Sequence, residues 1–263
     1  MSTSSSSSGS GSHFVLVHGA AHGAWCWYRI RCLLECTGHK VTCPDLCGSG
    51  IDTTDPATIS TFAEYNQPLD DTLSALPEDE KVILVGHSAG GLSLTAAIHN
   101  YPHKLLVAVF VGAAMYKNGF DTPPSVKINM MDYSEYEDKS YEHNLRNYGS
   151  LSSLIHGEGQ VETIYQLSPL EDRTLAAMLI RPYPSDAIRR ARFPDGKETD
   201  TVPRVYMKTL HDRCYSQEKQ DEMIQKWPPS NVYEIDSDHF PMFSNPYDFF
   251  GLLLKVANEF GCN

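Results

Sequence analysis

Short runs of consecutive apolar residues alternate along this chain with stretches that repeat apolar positions every three or four residues. Residues 13–17 (His-Phe-Val-Leu-Val), 81–85 (Lys-Val-Ile-Leu-Val) and 105–111 (Leu-Leu-Val-Ala-Val-Phe-Val) are continuous runs, as expected of strands covered on both faces of a parallel sheet. Residues 39–43, closed by Pro44-Asp45, and residues 204–210 and 231–235 read as three more strands. Between them, residues 23–36 predict a helix with Trp25, Tyr28, Cys32 and Leu33 on its inner side, punctuated by Gly38. Residues 58–76 predict an amphipathic helix lined by Ile59, Phe62, Tyr65 and Leu69, with Pro68 as a kink. Further helices are predicted from Gly91 to about residue 98, around 216–227 and over 247–260. Strand and helix alternate, which argues for an α/β fold with a mostly parallel sheet and helices on both faces.

The alternation lapses from about residue 113 to 198, where polar and aromatic residues mix without strand periodicity and only 170–180 looks helical. A loop of that length without structure of its own is unusual, so the stretch is expected to be a helical cap inserted over the sheet. Residues 1–12 are almost wholly Ser and Gly, with no basic or apolar segment of a secretory signal, and are expected to be a disordered tail. Residues 13–263 then form one domain with its cap, a size that single α/β enzymes commonly reach.

Composition narrows the partners. Lys and Arg number 21 against 33 Asp and Glu, a net charge of −12, which disfavours binding to a phosphate backbone or to anionic lipid. The apolar run around 105–115 is too short to span a membrane, so a soluble, cytoplasmic protein is expected. Five of the seven cysteines crowd between Cys26 and Cys47, but no spacing is C-x2-C or C-x4-C, and reduced, packed thiols are expected there rather than a metal site. The pairs His18/His22 and His99/His103 are broken by Gly19 and Pro102 and are also read as non-metal. The lone Gly48-Ser49-Gly50 lacks the context of a dinucleotide fingerprint. Neither metal nor cofactor is expected.

Gly86-His87-Ser88-Ala89-Gly90 matches G-x-S-x-G between a predicted strand and a predicted helix. Two glycines in that context permit a sharp turn that presents the Ser88 hydroxyl at the carboxyl edge of the sheet. A serine needs a base, and the base needs a carboxylate to hold it. In α/β-hydrolases the chain order is Ser, acid, His. His211 and His239 both lie near strand ends after Ser88, and His239 fits the loop before the last helix. Asp212 follows a strand by two residues, whereas Asp236 and Asp238 share a loop with His239 and are read as surface carboxylates. The oxyanion donors are expected at the amides of Ala89, which follows the nucleophile, and Ala20, in the small-residue loop after the first strand. His87 is expected to shape the turn.

Residues 13–27 (His-Phe-Val-Leu-Val-His-Gly-Ala-Ala-His-Gly-Ala-Trp-Cys-Trp), 38–42, 80–92 and the pair Asp238-His239 resemble the plant methylesterase family. That group includes methyl salicylate esterases that bind salicylic acid, polyneuridine aldehyde esterase and the hydroxynitrile lyases of rubber tree and cassava. The resemblance runs from His13 to about Phe260. It implies an α/β-hydrolase fold of six strands with a helical cap and a triad of Ser88, Asp212 and His239. It also points to Gly19 and Phe240 as substrate-facing: rubber-tree-type lyases carry Thr and Lys at these places, and esterases often carry Met at the second.

The function expected is hydrolysis of a carboxylic ester, most simply a methyl ester of a small plant metabolite or hormone, through an acyl-Ser88 intermediate. Two variants stand beside it: cleavage of a β-oxo methyl ester followed by decarboxylation in alkaloid biosynthesis, and a hydroxynitrile lyase or ligand-binding receptor. Gly19 and Phe240 argue against the lyase. The expected partner is a small-molecule ester, with neither nucleic acid nor membrane, and a homodimer is compatible with the sequence.

Overall fold

The computed structural model describes residues 11–119, 164–194 and 199–261, and elements are numbered along those residues. Six strands form one sheet: β1 (His13–Val17), β2 (Lys40–Thr42), β3 (Val82–His87), β4 (Leu105–Val111), β5 (Arg204–Thr209) and β6 (Asn231–Ile235). Their order is β2-β1-β3-β4-β5-β6 and every pairing is parallel. The chain runs outward from β1 to β2 and then returns to the other side of β1 with β3. Strand order therefore reverses between β1 and β3, the place where open α/β sheets bind ligands beyond their carboxyl ends.

Alternate residues of the central strands feed two cores. Phe14, Leu16, Ile83, Val85, Val109 and Met207 face α1 (Tyr28–Cys36) and the closing helix, while Val15, Val17, Leu84, Ala108 and Tyr206 face α2 (Phe62–Ser74) and α3 (Gly90–Asn100). Because both faces are covered, β1 and β3 are buried along their whole length. That is the reason they read as continuous apolar runs rather than as alternation.

The helices depart from expectation in instructive ways. The first begins with a 3-10 turn at Ala24–Trp27, and its inner face is Cys26, Trp27, Ile30 and Leu34, whereas Tyr28 and Cys32 are exposed. Two sets with three- and four-residue spacing overlap in this segment, and the one carrying the larger aliphatics is buried. The cysteines are accordingly not a packed group: Cys26 is buried, Cys32 and Cys36 are exposed, and Cys43 and Cys47 lie between. Helix α2 starts later than expected, because Thr61 and Glu64 form a reciprocal capping box. Pro68 lies inside it.

Of the expected cap, residues 120–163 and 195–198 lie outside the described residues. The part described carries α4 (Leu170–Leu179) and α5 (Ser185–Arg189). Most of the expected tail also lies outside them; Ser12 accepts the Lys40 amide at 3.1 Å, at the start of the β1–β2 ladder. After β5 come α6 (Gln217–Lys226), capped by the Ser216 hydroxyl, and β6; a short α7 (Pro241–Ser244), unexpected from the sequence, then precedes α8 (Pro246–Phe260). Among the described residues no helix is long and apolar enough to cross a membrane.

Candidate active site

Ser88 sits between the end of β3 and the start of α3 with φ of 54°. A non-glycine residue there carries strain of about 1–3 kcal/mol that the surroundings must hold. The Ser88 amide donates to Val111 O at 3.3 Å, and its carbonyl accepts from Gly91 at 3.1 Å and Ala114 at 3.0 Å. The turn is also tight against its neighbours. A Cβ on Gly86 would lie 2.4 Å from Leu94 Cδ1, and one on Gly90 would lie 2.7 Å from the His18 carbonyl oxygen. Both flanking positions of the motif therefore demand glycine for lack of room.

His239 and Asp212 are brought to this serine by the ends of β6 and β5. His239 Nε2 is 2.9 Å from Ser88 Oγ, and His239 Nδ1 is 2.7 Å from Asp212 Oδ2. His239 and Asp212 are 1% and 8% exposed, so water competes little for these bonds. Asp212 is further supplied by Thr209 Oγ1 at 2.7 Å on Oδ2 and by the amides of Cys214 at 2.7 Å and Tyr215 at 2.8 Å on Oδ1. Those donors hold the carboxyl group in place against the His239 ring. Cys214 Sγ lies close enough that Asp212, Cys214 and His239 could be read as metal ligands. A cation there would have to displace the His239–Asp212 hydrogen bond and find a thiolate where burial pushes the Cys214 thiol pKa well up.

The loop after β1 approaches Ser88 from the other side. A Cβ on Gly19 would lie 2.9 Å from Ser88 Cβ, so only glycine lets this backbone come so near. His18, fully buried, donates from Nδ1 to Gly19 O at 2.7 Å and accepts the Leu46 amide at Nε2, 3.0 Å. In a trans peptide the N–H opposes the C=O, so this bond also aims the Ala20 amide away from His18. Ala21 follows with φ of 64°. His87, also fully buried, donates from Nε2 to the His239 carbonyl at 2.7 Å, tying β3 to the histidine loop. Burial lowers the pKa of His18 and His87 and brings that of His22 to about 3, so all three rings are neutral.

Phe240 is 2% exposed and packs among His22, His87, Tyr165, His239 and Phe243. Asp238 corrects an expectation. It is not a surface carboxylate but fully buried, accepting from the Phe240 amide at 2.9 Å, the Leu167 amide at 3.0 Å and the Ser168 hydroxyl at 2.8 Å. Asp236 does stay exposed, paired with His211 at 2.6 Å. A groove of about 520 Å³ lined by Lys81, His103, Pro203 and Glu259 opens at the opposite ends of the strands and has no part in this arrangement.

The chain and its parallel sheet are similar to those of known proteins. Residues 14–251 fit the alpha/beta hydrolase family. The chain is 48% identical over 259 residues to Methylesterase 17 of Arabidopsis thaliana, covering 95% of this chain and 92% of that protein. This chain belongs to the plant methylesterase family of α/β-hydrolases. The crystal structure of methylesterase MES16 from Arabidopsis superposes with a TM-score of 0.76 at 38% identity, covering 94% of this chain and 99% of that one. That of polyneuridine aldehyde esterase gives 0.74 at 30% identity, covering 94% and 99%. As a member of that family it is a carboxylic ester hydrolase, and its six-stranded sheet is the α/β-hydrolase fold.

Sequence reasoning did not find the buried supports of this site: His18, His22, Thr209, Tyr165 and Asp238. The signal for Thr209 and Asp238 was their position beside Asp212 and His239. For the others, only the fold shows what lies opposite.

Proposed function

We propose that the chain hydrolyses the methyl ester of a small plant metabolite or hormone through an acyl-Ser88 intermediate. The observation that carries this reading is the unbroken hydrogen-bonded line from Asp212 through His239 to Ser88 Oγ, with steps of 2.7 and 2.9 Å. Ser88 Oγ attacks the ester carbonyl carbon as its proton passes to His239 Nε2. The developing oxyanion is held by the Ala89 amide, at the head of α3, and by the Ala20 amide beside Gly19. His239 then protonates the departing alkoxide, methanol leaves, and His239 draws a proton from the water that cleaves the acyl-serine. Asp212 holds the ring and stabilises the imidazolium. Gly19 and Phe240 shape the wall beside the nucleophile, Phe240 through the ring cluster it packs in. The electrons and protons balance with water alone, so the reaction takes no cofactor. The cytoplasm and a small-molecule partner suit the same reading.

Similarity to a polyneuridine aldehyde esterase favours a second reading, in which the ester is β to an aldehyde or ketone. The freed β-oxo acid would then lose CO2, and the product would be one carbon shorter.

A panel of methyl esters, among them methyl salicylate, methyl jasmonate and a β-oxo ester, tests both. Methanol and the free acid are expected from at least one, and none from Ser88→Ala. Product mass separates the acid from its decarboxylated successor. Failure on every methyl ester alongside rapid turnover of other alkyl esters would overturn the methyl assignment.

A further inference from the structure

Four consecutive residues of the cap segment, Tyr165 to Ser168, reach three loops that carry site residues: those after β1, β5 and β6. The Tyr165 hydroxyl bonds His22 Nε2, in the loop after β1. Gln166 Nε2 donates to the carbonyl of His211, the residue before Asp212. The Leu167 amide and Ser168 hydroxyl donate to Oδ2 of Asp238, the residue before His239. Tyr165, Ser168, His22 and Asp238 are all 5% exposed or less.

The direction of each bond is fixed by chemistry. His22 Nδ1 donates to the Ala20 carbonyl at 2.8 Å, so in the neutral ring Nε2 has only a lone pair and must accept from Tyr165. Ala20 thus has its carbonyl held through His22, while the next carbonyl, that of Ala21, accepts the Arg181 amide at 3.0 Å. Asp238 spends Oδ1 on the Phe240 amide and Oδ2 on the strap, so one carboxylate anchors the backbone on both sides of His239.

We propose that Tyr165–Ser168 is a positioning strap that sets the Ala20 loop, through His22, and the histidine loop, through Asp238, in reactive register. The proposal rests on the triad reading above. None of these side chains touches the reacting atoms; they act on where the donors and the base stand, and misplacement of the order of an ångström can cost large factors in rate.

The test uses Tyr165→Phe, Ser168→Ala and Ser88→Ala in the full chain, with 4-nitrophenyl acetate, whose acyl group is too small to need the cap. Each strap variant is expected to lose about tenfold in kcat with KM within about twofold of the parent. Binding of an aryl trifluoromethyl ketone, whose adduct places an oxyanion on the donors, should weaken by the factor lost in kcat/KM. Binding of the product carboxylate should hold. A merely structural role would lower the unfolding midpoint and leave the kinetics of the folded fraction unchanged. Both strap variants keeping kcat within about twofold while Ser88→Ala is inactive would overturn the strap alone. Full turnover in Ser88→Ala would overturn the triad and the strap with it.

Discussion

Asp212 fixes the tautomer of His239: its Oδ2 takes the Nδ1 proton at 2.7 Å and leaves the Nε2 lone pair facing Ser88 Oγ. Asp212→Asn should reverse this. Oδ1 must remain an acceptor for the Cys214 and Tyr215 amides, so the amide nitrogen is driven to the Oδ2 place, where it opposes an Nδ1–H. The ring then carries its proton on Nε2 and cannot receive one from serine. Loss of about 10⁴-fold in kcat is expected with the fold intact. Steady-state kinetics with circular dichroism checks it, and a loss below tenfold would contradict the assigned tautomer.

Thr209 predicts a milder case. Its hydroxyl supplies Asp212 Oδ2 at 2.7 Å from within the sheet edge. Thr209→Val keeps the shape and removes the donor, leaving a buried acceptor short of one bond at a cost of about 1–3 kcal/mol. Chemical denaturation should read that loss together with a fall in kcat smaller than that of Asp212→Asn.

Acid should unfold the protein early. His18, His22 and His87 are buried with folded pKa values below the unfolded 6.5, that of His22 at about 3. Below 6.5 the unfolded chain binds protons that the folded one refuses, so stability present above that pH is lost as pH falls towards the folded values. Three such groups give a slope approaching about 4 kcal/mol per pH unit. Asp238, whose carboxyl pKa burial raises, acts in the opposite sense as it gains its proton. Urea midpoints between pH 7 and 5 should fall steeply; a flat profile would mean that these rings titrate in the folded state.

Two glycines make opposite predictions. A Cβ on Gly90 would meet the backbone oxygens of His18 at 2.7 Å and Val17 at 2.9 Å, which cannot yield as a side chain can. Gly90→Ala should cost about 1–3 kcal/mol and reduce activity by parting the Ser88 turn from the β1 loop. Gly251, exposed in α8, has nothing within 4 Å of such an atom, and Gly251→Ala should gain up to about 1 kcal/mol. Paired urea titrations decide both.

The approach of Ser88, Asp212 and His239 was legible because each follows a segment that reads as a strand, and a parallel sheet brings all such ends to one edge. Asp238 was misread for a physical reason: its burial comes from Leu167 and Ser168, some 70 residues away, and no local pattern announces them. The face of α1 was misread because Tyr28 and Cys32 share the helical spacing of the residues that are buried. Phe240 could be named as a position from the resemblance, but its place in a ring cluster with His22 and Tyr165 depends on three loops meeting.

The proposed reaction turns on the acyl-serine. Enzyme quenched during turnover of 4-nitrophenyl acetate and digested for mass spectrometry should carry one acetyl group on the peptide containing Ser88, with no such adduct and no turnover in Ser88→Ala. An unmodified Ser88 peptide together with undiminished hydrolysis by Ser88→Ala would contradict the account.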